Sequence, residues 1–261
     1  MLKEKNTISK PFSFKQFKIH QDRCAMKVGT DSVLLGAWTD VKGATSILDI
    51  GTGTGVIAIM LAQKTNDIPQ SDLNDETCVI HAVEIDDTAV EQARENMDKS
   101  PFADRLTVFH DSIQNFSKHH VHKYDLVVSN PPFFTGGTLS STGDKTNVRH
   151  TVKMPHGDLL HATRTLLNKN GRFCVILPLI EGLRFIEIAG TYGFYLTRRT
   201  DVRSKEDKGI ERLLLQFELT NRTFSQDGLI IQNGPDVSDF SDERDYTEGY
   251  KALTKDFYTI F

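Results

Sequence analysis

Cysteine is scarce in this chain. Its three cysteines, Cys24, Cys78 and Cys174, are scattered and odd in number, which argues against a disulfide framework, and their spacing suits no zinc site. They are expected to be buried, reduced thiols. Long apolar runs are also missing: the longest, Gly55 to Ala62 and Phe173 to Ile180, fall far short of the roughly 20 residues that a membrane-spanning helix needs. Nor is there a strong excess of either charge. Thirty-one Lys and Arg against 35 Asp and Glu leave a net charge of -4, so composition carries no global footprint of a phosphate-binding protein. No internal repeat or low-complexity tract is present. The opening MLKEKNTISK is basic but has no apolar stretch behind it, so it is not expected to be a secretory signal, and the cytoplasm is the expected compartment.

What is present suits a folded α/β protein. Hydrophobic residues make up 38% and charged residues 25% of 261 residues, enough for a sizeable core and for one large domain with at most a short appendage. Short apolar segments alternate with helical ones. Ser46–Ile50, Val79–Glu84, Leu106–Phe109, Tyr124–Ser129 and Arg172–Leu177 read as strands, with helices over Val56–Gln63, Asp87–Asp98 and Leu159–Leu167 between them. Near-continuously apolar strands of this kind indicate a parallel sheet covered on both faces. The end differs: Tyr195–Thr200 and Ile210–Leu219 are separated only by the charged Asp201–Gly209, which suggests an antiparallel hairpin. Ser238–Phe261 is acidic and then aromatic-amphipathic, and reads as a terminal helix packed on the body.

Charge is segregated along the chain. Met1–Thr30 carries seven Lys or Arg against two acids and Gly136–Arg172 six against two, whereas Asn66–Asp98 has ten acids and one Arg. One basic face or ordinary solvated surface both account for this.

Chemistry concentrates at the ends of the strands. Asp49-Ile50-Gly51-Thr52-Gly53-Thr54-Gly55 lies where the first parallel strand turns into a helix. Glycines there let the backbone approach a ligand, and the helix N-terminus offers free N–H groups. A dinucleotide fingerprint would need glycine where Val56 stands, which disfavours a nicotinamide oxidoreductase. Glu84 ends the next strand, where a carboxylate can hold both hydroxyls of a ribose. Asp111, followed by Ser112, comes after the third, where it can accept a hydrogen bond from an adenine amine. Any one of these acids alone reads as a helix cap, but three such features at consecutive strand ends point to a ligand. Asn130-Pro131-Pro132-Phe133 follows the fourth strand. Its prolines fix the backbone and remove two N–H donors, leaving carbonyls that suit an amine. Phe133 can stack on a planar substrate such as an extruded adenine.

The glycine loop, the two acids and the terminal hairpin resemble the class I S-adenosylmethionine-dependent methyltransferases over roughly Thr45–Leu219. The resemblance implies a Rossmann-like, mostly parallel seven-stranded sheet with helices on both faces. It also implies S-adenosylmethionine as cofactor, with Gly51, Gly53 and Gly55 beside its methionine part, Glu84 at its ribose and Asp111 at its adenine. Asn130–Phe133 resembles the signature of methyltransferases acting on planar nitrogens. Phe14–Phe17, Asp22–Asp31, Leu34–Trp38 and Ala252–Tyr258 extend the likeness, over nearly the whole chain, to the bacterial tRNA(Val) adenine-N6 methyltransferase family, which implies a tRNA anticodon-loop substrate. Members often have tyrosine where this chain has Phe133, a change that removes a hydroxyl and keeps the stacking face; the Asn66–Thr77 loop looks longer than the family needs.

The expected catalytic set is therefore Asn130, Pro131, Pro132 and Phe133. The cofactor set is Asp49, Gly51, Gly53, Gly55, Glu84, Asp111 and Ser112, with Lys27 and Thr30 capping the pocket; alternatively, Thr30 or Asp31 simply N-caps the helix holding Leu34 and Trp38. No metal is expected, since His119, His120 and His122 lie in a polar connection without a matching ligand cluster. Arg149, Arg198, Arg199 and Arg203 suit either phosphate contacts or solvated surface. Residues 1–44 are expected to form a substrate-side cap, 45–220 the methyltransferase domain and 221–261 a tail. Neither membrane nor obligate protein partner is indicated. Two rivals stand beside this reading: a protein-glutamine methyltransferase acting on release factors, which should carry a longer N-terminal substrate domain, and a non-catalytic RNA-binding module.

Overall fold

The structure, a computed structural model, describes residues 10–67, 77–132, 155–234 and 245–261. Phe133, the Gly-rich stretch 136–143, Arg149 and most of the 66–77 loop lie outside the described residues. The chain begins with a small antiparallel hairpin, β1 (Phe12–Ser13) and β2 (Lys18–Ile19), followed by α1 (Thr30–Trp38). Alternating elements follow: β3 (Ser46–Ile50), α2 (Val56–Asn66), β4 (Val79–Glu84), α3 (Asp87–Asp98), β5 (Leu106–His110), α4 (Ile113–His119), β6 (Tyr124–Ser129), α5 (His156–Leu166) and β7 (Leu167–Pro178). The chain ends with α6 (Leu179–Thr191), β8 (Tyr195–Arg203), β9 (Arg212–Glu218), β10 (Ser225–Ile230) and α7 (Glu248–Thr254).

One sheet carries the fold, in the order β10-β8-β9-β7-β6-β3-β4-β5. The strands from β7 to β5 are parallel, and β9 runs antiparallel to both β7 and β8. All seven expected strands are present. An eighth, β10, adds parallel to β8 at the edge; its first four residues are exposed, so it has no apolar pattern to reveal it. Helices α4 and α6 were likewise not anticipated. Pro178 both ends β7 and stands at the N-cap position of α6, an economy of punctuation that reads in the sequence as a stop alone.

Burial explains the central elements. Every residue of β3 is buried, and α2 is buried almost all round, as expected of a strand covered on both faces and a helix within the core. One apolar cluster joins α1, α2, α3 and α7 to one face of the sheet, and a second joins α4, α5 and α6 to the other. At the start of α3, the Asp86 carboxylate accepts from the Thr88 and Ala89 N–H groups at 3.0 and 2.9 Å, which satisfies two of the orphan donors of a helix N-terminus.

The two ends of the chain clasp each other and hold α1. Lys15 N–H donates to Phe257 O at 2.8 Å, Phe14 bridges Tyr258, and Gln63 Nε2 donates to Asp256 O at 2.9 Å. The last turn of α1 has no basic residue; the Lys64 ammonium of α2 instead donates to Ala37 O at 2.6 Å and to Thr39 O, capping the helix from outside. Burial lowers the pKa of that ammonium to about 8. Beside it, the Trp38 indole donates to Thr200 Oγ1 at 2.7 Å and carries the Arg198 guanidinium 4.2 Å above its ring. No helix among the described residues is long and apolar enough to cross a membrane.

Candidate active site

Parallel strands present their C-terminal ends along one edge of the sheet. From β3 the sheet continues to β4 on one side and to β6 on the other, so the crevice between the ends of β3 and β6 is a topological switch point, where ligands of open α/β sheets bind. The Ser129 hydroxyl donates to Ile50 O at 2.9 Å and ties the two strand ends together immediately before Asn130.

The glycine loop is shaped by its backbone. Gly51, Gly53 and Gly55 have φ of 72°, 57° and 82°, in the left-handed region that favours glycine. A side chain at Gly53 would meet nothing within 4 Å, and at Gly55 it would be in ordinary contact with Ala93 and Met97 of α3 at 3.4 to 3.5 Å, so it is the positive φ that calls for glycine. Gly53 thus leaves open space beside the loop, and Gly55, in the left-handed region, is the N-cap of α2. Asp49 lies wholly buried, and its Oδ2 accepts from Thr52 Oγ1 at 2.6 Å. It does not line the crevice; it shapes the loop through Thr52. Burial pushes its pKa up to about 7, against the opposing hydrogen bonds from Thr52 and the Ala58 backbone.

Both acids are wired into the same edge. Glu84 Oε2 accepts from Gly53 N–H at 2.9 Å, and Oε1 accepts from Ile85 and Asp86 N–H at 2.9 and 3.0 Å. Oε2 retains a lone pair while Oε1 is already doubly engaged, so the side chain orders the loop and still has acceptor capacity at one oxygen. Asp111 is held by the Asn115 amide at 2.8 and 2.9 Å and accepts from Ser112 N–H at 2.8 Å. Ser112 is the N-cap of α4, its hydroxyl accepting from Asn115 N–H at 3.2 Å.

Asn130 and Pro131 stand at the end of β6, and Pro131 is buried. Asn130 Oδ1 is buried without a hydrogen-bond partner among the described residues. Asn130 lines a cavity of about 460 Å³ together with Gly51–Thr54 of the loop and with Val56 and Ile57 of α2. The opposite wall comes from Met26, Lys27 and Gly29–Ser32 on one side, and from Val202, Ser204, Glu211, Arg212 and Ile231 on the other. Sequence reasoning placed Lys27 and Thr30 here and missed the hairpin residues, whose only signal is a charged pair, Glu211-Arg212, opening an apolar strand. Neither Thr30 nor Asp31 is the N-cap of α1. That position is Gly29, whose carbonyl accepts from the Ser32 hydroxyl at 2.8 Å, leaving the first turn to line the cavity. Lys27 donates to Gln21 O. Arg198 packs on Trp38, and Arg199 pairs with Asp201 at 2.5 Å, so both are engaged within the fold. The three cysteines are unpaired and buried; burial and then the nearby Glu84 raise the Cys24 thiol to about 11, which leaves it unreactive. Among the described residues no group of three or more potential ligands is arranged to hold a metal.

Comparison with known proteins agrees with this layout. The Methyltransferase small domain family matches residues 24–178. A tRNA1(Val) (adenine(37)-N6)-methyltransferase of Cronobacter sakazakii is 42% identical over 247 residues, covering 95% of this chain and 94% of the relative. Among solved structures, a predicted O-methyltransferase from Agrobacterium tumefaciens superposes with a TM-score of 0.63 at 14% identity, covering 87% of this chain and 96% of that one. The glycopeptide N-methyltransferase MtfA, complexed with S-adenosyl-L-methionine, gives 0.52 at 11% identity, over 74% of this chain and all of the other; at such identities the likeness is one of fold. A strand-edge crevice with this glycine loop, matched by that family and by a 42% identical relative along nearly the full length, means that the chain belongs to the methyltransferase small domain family of class I S-adenosylmethionine-dependent methyltransferases, in the group of the tRNA1(Val) (adenine(37)-N6)-methyltransferases.

Proposed function

We propose that this chain transfers a methyl group from S-adenosylmethionine to N6 of the adenine at position 37 of tRNA1(Val). The observation that carries this reading is Asn130, which lines the same cavity as the glycine loop and whose buried Oδ1 has no hydrogen-bond partner among the described residues. A buried acceptor without a partner costs free energy of the order of 1–3 kcal/mol, and an incoming N–H relieves that cost. Its surroundings suit a cofactor on one side: the backbone at Gly53 has open space where a side chain would stand, and α1 and α2 both begin at this cavity.

When bound, S-adenosylmethionine would supply an electrophilic methyl group on a sulfonium and leave as the neutral thioether once the methyl is transferred. Gly51, Gly53 and Gly55 would pass beside its methionine part, Lys27 and the first turn of α1 at Thr30 would attract its carboxylate, Glu84 would accept from a ribose hydroxyl, and Asp111 with Ser112 would receive its adenine. Asp49 keeps the loop in shape. The Asn130 amide oxygen and the Pro131 carbonyl accept the two hydrogens of the substrate amine. That draws the nitrogen out of conjugation with the ring and points its lone pair along the transfer direction. Pro131 and Pro132 keep the turn rigid, and Phe133 stacks on the base. No strong general base is needed, because the proton leaves after the nitrogen has been alkylated.

The substrate follows from the relatives' stated activity together with an amine-accepting turn. A glutamine amide would use the same turn, so the test must report on the acceptor. Nucleosides of total tRNA from cells with and without this protein, analysed by mass spectrometry, should differ in N6-methyladenosine of tRNA1(Val). An unchanged tRNA profile, with a release-factor glutamine losing its methyl group, would replace this reading with the protein-methylating one.

A further inference from the structure

Asparagine is ill suited to the interior of a helix, where its short amide competes for backbone hydrogen bonds, yet Asn96 stands in the last turn of α3 and is wholly buried. Its amide is spent on two other stretches of chain. Oδ1 accepts from His20 N–H at 2.8 Å, and Nδ2 donates to His20 O and to Thr54 O, each at 2.8 Å. These partners fix its orientation, because a flipped amide would set its NH2 against the His20 N–H and its oxygen against two carbonyls. The residues it joins lie 76 and 42 positions away.

The two stretches meet again at the cavity. Thr54 lines it with the rest of the glycine loop, and the chain leaving His20 reaches it at Met26, Lys27 and Gly29; Asn96 itself does not line it. The loop is thus fastened twice, at Gly53 N–H by Glu84 and at Thr54 O by Asn96. The strap formed by residues 20–29 has no regular secondary structure, and Cys24 is its only buried residue, so apolar burial does little to place it. A row of polar side chains on α3 does so instead. Thr88, Gln92 and Asn96 stand four residues apart, on one face of the helix. Gln92 Oε1 accepts from Arg23 N–H at 3.3 Å, and the Thr88 hydroxyl, shared with the Asp86 carboxylate, reaches Arg23 O at 3.2 Å. Farther along, Val28 N–H donates to Gln21 Oε1 at 2.8 Å and Lys27 Nζ donates to Gln21 O, which folds the strap back on itself.

We infer that Asn96 is a positioning residue for cofactor binding: it locks the strap to the glycine loop, so that a ligand seated between them is held by both at once. This rests on the reading of the cavity as the S-adenosylmethionine site. A side chain that grips two stretches makes the ordering of one lower the cost of ordering the other, and filling the cavity should tighten both.

Amide hydrogen exchange of the full chain, read by mass spectrometry with and without S-adenosylmethionine, tests this beside calorimetric titration and single-turnover methylation of tRNA1(Val). In the native protein the cofactor should slow exchange at residues 20–29 as well as at 51–55. Asn96→Ala should weaken S-adenosylmethionine about 5- to 100-fold, keep the slowing at 51–55 and lose most of it at 20–29. Its single-turnover rate at saturating cofactor should stay close to the native one, a loss in binding and not in chemistry. Gln92→Ala, which loosens the strap and spares the bond to Thr54, should fall between. Trp38→Phe, which costs stability elsewhere, should keep the native pattern of protection.

Native cofactor affinity in Asn96→Ala, slowing that persists at 20–29 in that variant, a single-turnover rate that stays low at saturating cofactor, or the same uncoupling in Trp38→Phe would each overturn the assignment. If Asn96→Ala does not fold, the native protein and Gln92→Ala decide it: strap exchange that the cofactor leaves unchanged in the first, or that is no faster in the second, overturns it. Absence of S-adenosylmethionine binding to the native protein would remove the cofactor reading itself, whereas binding without protection of the strap removes this inference alone.

Discussion

One wall of the cavity comes from short, contiguous stretches, the glycine loop with the start of α2 and the turn at Asn130. The facing wall is gathered from Met26–Leu34, from the β8–β9 hairpin end and from Ile231. The first wall is fixed by backbone geometry at strand ends, through three glycines of positive φ and the Glu84 carboxylate. The second is held by side chains and sheet edges: the Asp31–Arg212 pair, the Trp38–Thr200 bond and the addition of β10 beside β8. The first wall is set by local backbone geometry, and the second by contacts between elements far apart in the chain. The two walls should therefore fail differently when they are cut.

The sharpest break is expected at the Asn130 turn of the first wall. Asn130→Ala removes an oriented acceptor whose interaction is strongest in the transition state, and turnover should fall about 100- to 1000-fold, as for other single polar groups aimed at a transition state. Single-turnover methylation and calorimetric titration with S-adenosylmethionine should show lost chemistry with cofactor affinity nearly unchanged; the reverse pattern would move Asn130 to the donor side.

Cutting the backbone wall should be read out in cofactor affinity. Glu84→Ala releases the Gly53, Ile85 and Asp86 N–H groups at once and should weaken S-adenosylmethionine about 10- to 100-fold. Asp111→Ala should cost less, since it leaves the loop's own hydrogen bonds intact. Equal affinities for native protein and both variants would remove the cofactor pocket from this edge.

Scaffolding of the facing wall should respond in stability alone. Trp38→Phe removes the buried indole bond to Thr200 and weakens the contact with Arg198, at a cost of about 1–3 kcal/mol. Denaturant unfolding should show that loss while cofactor affinity stays the same; a parallel loss of cofactor affinity would mean that the walls are one mechanical unit.

The smallest effect lies away from both walls. His81 on β4 hydrogen-bonds to the Tyr124 hydroxyl at 2.8 Å, and burial, followed by the neighbouring His122 and His120, lowers its pKa from 6.5 to about 4. The unfolded chain therefore takes up this proton first. Stability due to neutral His81 is complete above pH 6.5 and is lost as pH falls toward 4. Thermal melts over that window should show a decline that His81→Phe flattens, while methyl transfer at neutral pH is unaffected; an unaltered pH profile would clear His81 of this role.

The same contrast governs how much could be read from the sequence. Gly51, Glu84, Asp111 and Asn130 stand at fixed offsets from apolar strands, and the structure brings their strand ends to one edge of the sheet, with Gly51 and Asn130 lining the cavity. The facing wall had no such offset. Asp31 and Arg212 are 181 residues apart, and an ion pair between distant residues leaves no periodic mark. Strand β10 escaped notice because its exposed edge position asks for no apolar alternation. Of the two alternatives open for Thr30 and Asp31, lining the pocket or capping α1, the structure gives the first: both are good capping types, but the N-cap is Gly29, whose carbonyl accepts from the Ser32 hydroxyl.

The central claim is that the Asn130 turn receives the N6 amine of an unpaired tRNA adenine. Its most direct test gives purified protein, with methyl-labelled S-adenosylmethionine, two transcripts of tRNA1(Val) that differ only in adenine or guanine at position 37. Label is expected in N6-methyladenosine from the adenine transcript and to be absent from the guanine transcript, which has no exocyclic amine at that ring position. Equal labelling of both transcripts, or label in neither while a release-factor glutamine is methylated, would contradict the account.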